Sequence, residues 1–171
     1  MSAADERFQE FVRSRAAPLH RAAYLLCGDW HLADDLVQEA LAKTYRHWRR
    51  VQGADNPDAY VRRILINEVN RYFQRHRHFP EPIDVTNRAH DPADPTHADA
   101  SGELARRDLL LTALLALPER QRATVVLRYL EGMTEAETAN ILGCSEGTVK
   151  SQTSRALHAL NHLISRQELP L

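Results

Sequence analysis

Residues 81–103 form an acidic, proline-containing segment that cannot continue a helix, and this segment divides the chain into two parts. Four of the eight prolines lie in or beside it, and it includes the run Asp91-Pro92-Ala93-Asp94-Pro95. A residue before proline is biased away from helical backbone angles, and like charges keep such a segment extended. We therefore expect a flexible acidic linker between a domain at 1–80 and a second domain at 104–171. Fully extended, its 23 residues would reach about 75–80 Å.

Both flanking parts have the composition of helical domains. The chain has 171 residues, of which 43% are apolar and 26% charged, and it contains only six glycines. Long stretches rich in Leu, Ala, Arg and Glu favour an all-α fold. No apolar run approaches the roughly 18 residues that cross a bilayer, and the N-terminus lacks the pattern of a signal peptide. Cys27 and Cys144 are too far apart in sequence to suggest a disulfide framework, so we expect a cytoplasmic protein.

Apolar spacing predicts the helices of each domain. In the first domain, one helix ends at Gly28, a second carries Leu32 to Trp48, and a third begins at Pro57. The third helix has a polar face made of Arg62, Arg63, Asn67, Asn70, Arg71 and Arg75. In the second domain, helices are predicted at 104–117 and 119–130. A short helix follows, opened by a capping box at Thr134 and ended at Gly143, and the last helix is capped by Ser145.

Charge is distributed unevenly along a chain whose net charge is −1. Residues 1–80 hold 13 Lys or Arg against 10 Asp or Glu, the linker holds 1 against 6, and residues 104–171 hold 8 against 7. Within 46–78 there are 8 basic and 3 acidic residues, with His47, His76 and His78 beside them. This basic stripe is of the kind that contacts phosphate.

Residues 135–155 have the pattern of a helix-turn-helix. Small Ala139 allows two helices to approach, Gly143 gives the turn its backbone freedom, and Val149 is placed to be buried. The start of the second helix would then read base edges in the major groove. Its candidate DNA-contacting residues are Ser145, Thr148, Lys150, Ser151, Gln152 and Arg155. An ordinary helical hairpin with a polar outer face is the alternative.

Three motifs of the second domain together resemble region 4 of bacterial sigma factors. They are the runs Leu117-Pro118-Glu119-Arg120-Gln121-Arg122, Leu127-Arg128-Tyr129-Leu130-Glu131-Gly132-Met133-Thr134 and Gly143-Cys144-Ser145-Glu146-Gly147-Thr148-Val149-Lys150-Ser151. In the first domain, Asp34-Asp35-Leu36-Val37-Gln38-Glu39-Ala40 resembles region 2.2, and Tyr60-Val61-Arg62-Arg63-Ile64-Leu65-Ile66-Asn67 resembles regions 2.3 and 2.4. The chain thus looks like an extracytoplasmic-function sigma factor, of a sigma-E-like branch.

The resemblance implies a role for each polar surface. Asp34, Asp35, Gln38 and Glu39 would bind core RNA polymerase at the β′ clamp, and the second domain would meet the β flap. The −10 element would be bound by Asn56, Arg62, Arg63, Asn67, Asn70 and Arg71, and the −35 element by the helix-turn-helix residues. The linker would follow a basic channel of the polymerase. An anti-sigma factor is expected as a further partner, and no cofactor, metal, membrane insertion or catalytic activity is expected.

The chain departs from the family's usual residues at three positions. The family often has Trp at the position of Tyr60, Asp at that of Asn70 and Arg at that of Gln152. The last of these lies on the helix that would read the −35 element, so the resemblance does not predict which −35 sequence is read.

Other interpretations follow from the residues alone. The acidic residues of the second helix could form a solvated face, or a metal site if a second acidic cluster faced them. Tyr72 and Phe73 are expected in the core, as are Trp30 and Trp48, and His158 and His162 on the surface. The rival functions are a dimeric helix-turn-helix regulator and a small helical enzyme that uses Asp34 and Asp35.

Overall fold

The computed structural model describes residues 2–76 and 100–167, and its described elements are all helical. They are α1 Ala3–Cys27, α2 Trp30–Arg46, α3 Trp48–Val51, α4 Pro57–Arg75, α5 Ala100–Leu115, α6 Glu119–Val125, α7 Glu135–Leu142 and α8 Glu146–Gln167, with a π-helical segment at Val126–Leu130 that continues α6. The predicted all-α class is confirmed. Most of the predicted linker lies outside the described residues, and α5 begins four residues before the predicted Leu104.

Side-chain caps define where most of these helices start. Ser2 and Asp5 form a capping box on α1, and Asp29 accepts a hydrogen bond from the Leu32 amide at the start of α2. The predicted capping box of Thr134 and Glu137 opens α7. Each cap satisfies amides that the first turn leaves unpaired, so the local sequence determines the helix boundary.

Two predicted helices are interrupted. The second predicted helix breaks at His47, where the backbone leaves the helical region, and a single turn, α3, buries Trp48 and Val51 beneath α1. The predicted helix over 119–130 changes to π geometry from Val126 onward. After the first break, the Trp48 ring packs against Phe8 and Phe11 of α1 at centroid distances of 5.2 and 5.1 Å, contacts that apolar spacing alone does not reveal.

The first domain is a bundle of α1, α2 and α4 with a continuous apolar centre. Leu19, Leu26, Leu36, Val61 and Leu65 are at most 8% exposed. The expectation that the tryptophans and the Tyr72–Phe73 pair serve packing is confirmed, since all four side chains contact other aromatic rings or the core.

The second domain places α5, the α6–π segment and α7 around α8. Leu114, Val149 and Ala156 are fully buried at its centre. The short α7 and the start of α8 meet at Gly143, whose φ of 64° lies in the left-handed region. Since Val149 is buried and the turn has this geometry, the helix-turn-helix pattern predicted from the sequence is present.

The two domains are in contact with each other. One apolar cluster joins the first domain's core to Val126, Leu127 and Ile141 of the second. At the end of α1, Gly28 has a φ of +77°, and a β-carbon there would lie 2.5 Å from Leu115 of α5. A side chain at position 28 would therefore strain the left-handed backbone and require the Leu115 side chain to shift.

Candidate nucleic-acid interface

One face of α2 is exposed and acidic, and we call it the acidic face. It carries the four predicted polymerase-binding residues Asp34, Asp35, Gln38 and Glu39, all exposed. The Gln38 amide donates to the Asp34 carboxylate at 2.8 Å, and Lys43 pairs with Glu39 at 3.2 Å. A partner surface rich in Arg or Lys could pair with these carboxylates.

A half-buried histidine lies beside the acidic face. Nε2 of His20 lies 3.7 Å from Asp34, and its ring packs against Trp30 with centroids 4.1 Å apart. Burial lowers the pKa of His20 below its ordinary value, and Asp34 only partly opposes that shift. The imidazole is therefore neutral at pH 7 and does not neutralise Asp34.

The polar residues of α4 are divided between two surfaces. Asn67 and Arg71 face α2, whereas Arg62 and Arg63 face the second domain. Asn70 is half-buried and is not among the residues that line the space between α2 and α4. The second domain thus covers Arg62, whereas Arg63, Asn67 and Arg71 are exposed and follow one another at four-residue spacing along α4.

Arg62 and Arg63 each have partners across the domain boundary. Nη2 of Arg62 lies 2.9 Å from Glu131, and only 11% of the Arg62 side chain is exposed. Arg63 donates to the main-chain carbonyl of Asn140 and, at 3.4 Å, to that of Ile141. In this arrangement the Arg62 guanidinium is largely covered, whereas Arg63 remains exposed.

A basic cleft of about 380 Å³ lies between the end of α2 and α4. Its lining residues are Lys43, Arg46, His47, Tyr60, Ile64, Asn67, Glu68 and Arg71. Buried Glu68 pairs with Lys43 at 2.7 Å and with Arg71 at 3.4 Å, which holds both cations at the cleft wall. Cations beside a tyrosine ring suit a single nucleic-acid strand.

Sequence reasoning missed Lys43 and did not assign Arg46 or His47 to a binding site, whereas Tyr60 begins the run that resembles regions 2.3 and 2.4. Arg46 and His47 lay within the basic stripe, which was the available signal. Lys43 lies on the same helix as the acidic face, and only its contact with Glu68 places it in the cleft.

The loop before α4 presents its tip to solvent. Gly53 to Asn56 are exposed, whereas Val51 is 1% exposed and anchors the loop. The Asn56 side-chain oxygen accepts a hydrogen bond from the Ala59 amide at 2.9 Å, so this residue caps α4. Asn56 therefore has a structural role besides the base contact predicted for it.

The start of α8 is exposed and well ordered by its cap. The Ser145 hydroxyl accepts from the Thr148 amide at 3.1 Å, as predicted. Lys150, Ser151 and Arg155 are exposed, and Thr148 and Gln152 are half-buried. Lys150 lies 3.5 Å from Glu135 of α7, a contact that solvent screens because 64% of the Lys150 side chain is exposed.

A groove of about 580 Å³ runs beside this helix. It is lined by Leu117 to Arg122 together with Gln152 and Arg155. Arg120 and Gln121 thus join two predicted −35 residues in one groove, an association that no sequence spacing indicated. Arg120 is exposed, and its charge adds to that of Arg155 on the same surface.

Two other features bear on function. Within residues 2–76 and 100–167, no three His, Cys, Asp or Glu side chains are grouped so that they could hold a metal ion. Over the same residues, no helix is both long and apolar enough to cross a bilayer.

Family models match both domains. The model described as sigma-70 region 2 matches residues 11–79, and the model described as sigma-70, region 4 matches residues 107–160. Together they include the acidic face, the basic cleft and the helix-turn-helix.

Similar proteins match nearly the whole chain. The RNA polymerase sigma-E factor of Streptomyces coelicolor is 38% identical, over 95% of this chain and 88% of its own. The ECF RNA polymerase sigma factor SigL of Mycobacterium tuberculosis is 31% identical, over 90% and 85%. Among solved structures, the sigma factor RpoE of Bartonella quintana, in complex with the anti-sigma factor NepR, has a TM-score of 0.75 at 26% identity. That match covers 94% of this chain and 98% of the other, and so spans both domains.

Proposed function

Because the chain belongs to the sigma-70 family and is an extracytoplasmic-function RNA polymerase sigma factor, we propose how its surfaces divide promoter recognition. As a sigma factor, it binds core RNA polymerase and promoter DNA. The acidic face of α2 contacts the polymerase β′ clamp, α4 and its cleft contact the −10 element, and α8 contacts the −35 element. The second domain also meets the β flap.

The observation that carries this proposal is the separation of charge on the first domain. Asp34, Asp35 and Glu39 are exposed on one face of α2, and the cations of Arg46 and Arg71 lie at its end and on α4. Carboxylates exclude DNA from the first surface and favour basic protein, whereas the second surface attracts phosphate. Two partners of opposite charge can thus bind the first domain together.

The opened −10 strand would follow the basic cleft. Lys43 and Arg71 are held in place by Glu68, and Tyr60 offers a ring against which an unpaired base can stack. Asn67 lines the same cleft and is placed for a polar base contact. Asn56 lies at the exposed loop tip, and its side-chain amide nitrogen could donate to a second base.

The −35 element would be read by the start of α8 in the major groove. Lys150, Ser151 and Arg155 are exposed there, and Gln152 lines the adjoining groove. Arg120 and Gln121 extend this surface toward the DNA backbone, where they would neutralise phosphate and fix the register. Ser145 and Thr148 complete the contact at the helix start.

Several further assignments complete the proposal. The domains extend over 1–80 and 104–171, joined by the acidic linker at 81–103. The protein acts in the cytoplasm, has no catalytic activity of its own, and is regulated by an anti-sigma factor that covers its docking and DNA-reading surfaces. The solved complex of the Bartonella relative with an anti-sigma factor supports the last assignment.

Run-off transcription on pooled genomic promoters, with purified bacterial core polymerase, tests the proposal. Discrete transcripts that require the chain are expected, and their upstream sequences give both promoter elements. An absence of transcripts together with an absence of binding to core would overturn the proposal. A core preparation with another sigma factor serves as the control for active polymerase and template.

A further inference from the structure

The basic residues of the chain are almost all arginine. Of its 22 Lys and Arg residues, 20 are arginine, and the two lysines are Lys43 and Lys150. A guanidinium stays protonated in proteins and is a poor nucleophile, whereas a lysine amine in its neutral form reacts with activated acyl groups. Stable acylation can therefore remove positive charge from the side chains at two positions, one in each domain.

Lys43 is enclosed by carboxylates. Its Nζ lies 2.7 Å from Glu68 and 3.2 Å from Glu39, and 27% of its side chain is exposed. The Glu68 side chain is only 10% exposed, and Arg71 lies 3.4 Å from it. Loss of the Lys43 charge would leave a buried carboxylate with one partner fewer, which is costly. The Lys43 amine is thus both shielded from reagents and held by its neighbours.

Lys150 is open to solvent by comparison. Its side chain is 64% exposed, and its Nζ lies 3.5 Å from Glu135, whose side chain is 34% exposed. Water screens a pair of this kind, so the amine leaves Glu135 at little cost. The neighbouring Val149 is fully buried and fixes this turn of α8. A small reagent can therefore reach the Lys150 amine without disturbing the packing of the domain.

We propose that Lys150 is an acylation site, that its acyl donor is a small acyl phosphate such as acetyl phosphate, and that the acylated α8 binds −35 DNA more weakly. The effect on DNA rests on the proposed function of α8.

The transfer balances without a further reactant. The neutral Nζ of Lys150 attacks the carbonyl carbon of acetyl phosphate, a C–N bond forms, and the bond from that carbon to the phosphate oxygen breaks. Inorganic phosphate leaves with the electron pair, and the amine releases one proton to solvent. The resulting amide is neutral, so it neither pairs with Glu135 as a cation nor attracts a DNA phosphate.

The difference between the two lysines separates the two DNA contacts. Because Lys43 is protected, an acylated chain keeps the charges of the acidic face and of the basic cleft. It loses one cation from the start of α8, beside Ser151. Docking on polymerase and contact with the −10 element are therefore retained, while contact with the −35 element is weakened.

Peptide mass spectrometry of the full chain after treatment with acetyl phosphate tests the site without DNA. At low conversion, acetyl occupancy should be about tenfold higher at Lys150 than at Lys43, because burial and ion pairing protect Lys43. In concentrated urea, where both amines are exposed, the two occupancies should become similar. An absence of acetylation at Lys150, or a ratio that is the same with and without urea, overturns the site whatever the chain's function.

Run-off transcription measures the effect on DNA. The treated chain is freed of reagent and added to untreated core polymerase, and each protein is compared with its own untreated form. The wild-type chain should lose about fivefold in transcription from a promoter with an intact −35 element, in line with one lost contact. The Lys150→Arg variant cannot be acylated at this position and should keep its own untreated level. Circular dichroism checks that treatment preserves helicity.

Failure of this inference can be distinguished from failure of the proposed function. Equal losses in the wild-type chain and in Lys150→Arg, or no loss in either, would overturn the effect on DNA, while transcription by the untreated chain would still support the proposed function. An untreated chain that supports no promoter-specific transcripts would overturn the proposed function and with it the effect on DNA. The acylation site itself would still be decided by mass spectrometry.

Discussion

Arg122 shows how one residue can join two domains. Its guanidinium donates to the carbonyls of Leu114 and Leu117 in its own domain and to that of Leu26 in the other. Burial lowers the pKa of Arg122 from its ordinary value, yet an arginine stays protonated at neutral pH. The charge is stabilised by carbonyl dipoles at the ends of α1 and α5, and the Glu119 carboxylate also favours the protonated form.

Arg122→Leu should therefore lower the free energy of unfolding by about 3 kcal/mol or more, because it leaves several buried carbonyls without a donor. Urea unfolding followed by circular dichroism measures this change. Arg120→Leu, two residues earlier and exposed, is the matched control and should shift the midpoint little. Equal midpoints for the two variants would show that the buried bonds contribute no net stability.

At the scale of the element, α2 presents two chemically distinct surfaces. Its middle carries the acidic face, and its end contributes Lys43 and Arg46 to the basic cleft. Helix α4 also has two surfaces, one that lines the basic cleft and one that contacts the second domain. Each helix therefore contributes to two interfaces, and a single substitution can test one without the other.

The double change Asp35→Arg and Gln38→Ala should weaken binding to core polymerase by about tenfold or more, about 1.4 kcal/mol. Both side chains are exposed, so the change should not affect folding. Biolayer interferometry with immobilised core measures the affinity, and thermal unfolding checks the fold. Binding equal to that of the wild type would remove these residues from the docking surface. Glu10→Arg is the control for an added positive charge on the first domain.

Arg155→Ala on α8 should reduce −35-dependent transcription by about fivefold to tenfold, in line with one lost base or phosphate contact. Run-off transcription on a promoter with its −35 element intact, and on one with that element scrambled, measures the dependence. His158→Ala lies one turn further along α8, is also exposed, and should leave transcription unchanged. If the Arg155→Ala variant retains the wild-type promoter preference, Arg155 is not one of the residues that read the −35 element.

At the scale of the whole molecule, the apolar cluster that spans both domains couples their stability. Val126, Leu127 and Ile141 lose their burial if either domain unfolds alone. Such shared surface makes unfolding cooperative, although each domain has its own centre.

Scanning calorimetry of the full chain should therefore show one transition, with a calorimetric enthalpy equal to the van't Hoff enthalpy. In the Glu131→Arg variant, the transition should broaden or divide, because the domains no longer support each other. Two resolved transitions in the wild-type chain would mean that the contact between the domains adds little to the stability of either.

The sequence predicted features that depend on residues close together in the chain. The capping box at Thr134, the turn at Gly143 and the Ser145 cap each involve partners within a few residues, and all three are present. The all-α class and the family followed from apolar spacing and from short runs such as Asp34 to Ala40. These signals are local because a helix satisfies its backbone within four residues.

The tertiary structure alone decided which polar residues share a surface. Glu131 and Arg62 are separated by 69 residues, and Asn140 and Arg63 by 77, so no periodicity indicates that they meet. Likewise, Lys43 and Arg71 reach one cleft only because Glu68 is buried between α2 and α4. Packing of the second domain divides α4 into a side that lines the cleft and a side that is covered. Helical periodicity cannot predict this division, because burial and charge pairing between distant residues depend on which surfaces meet in three dimensions.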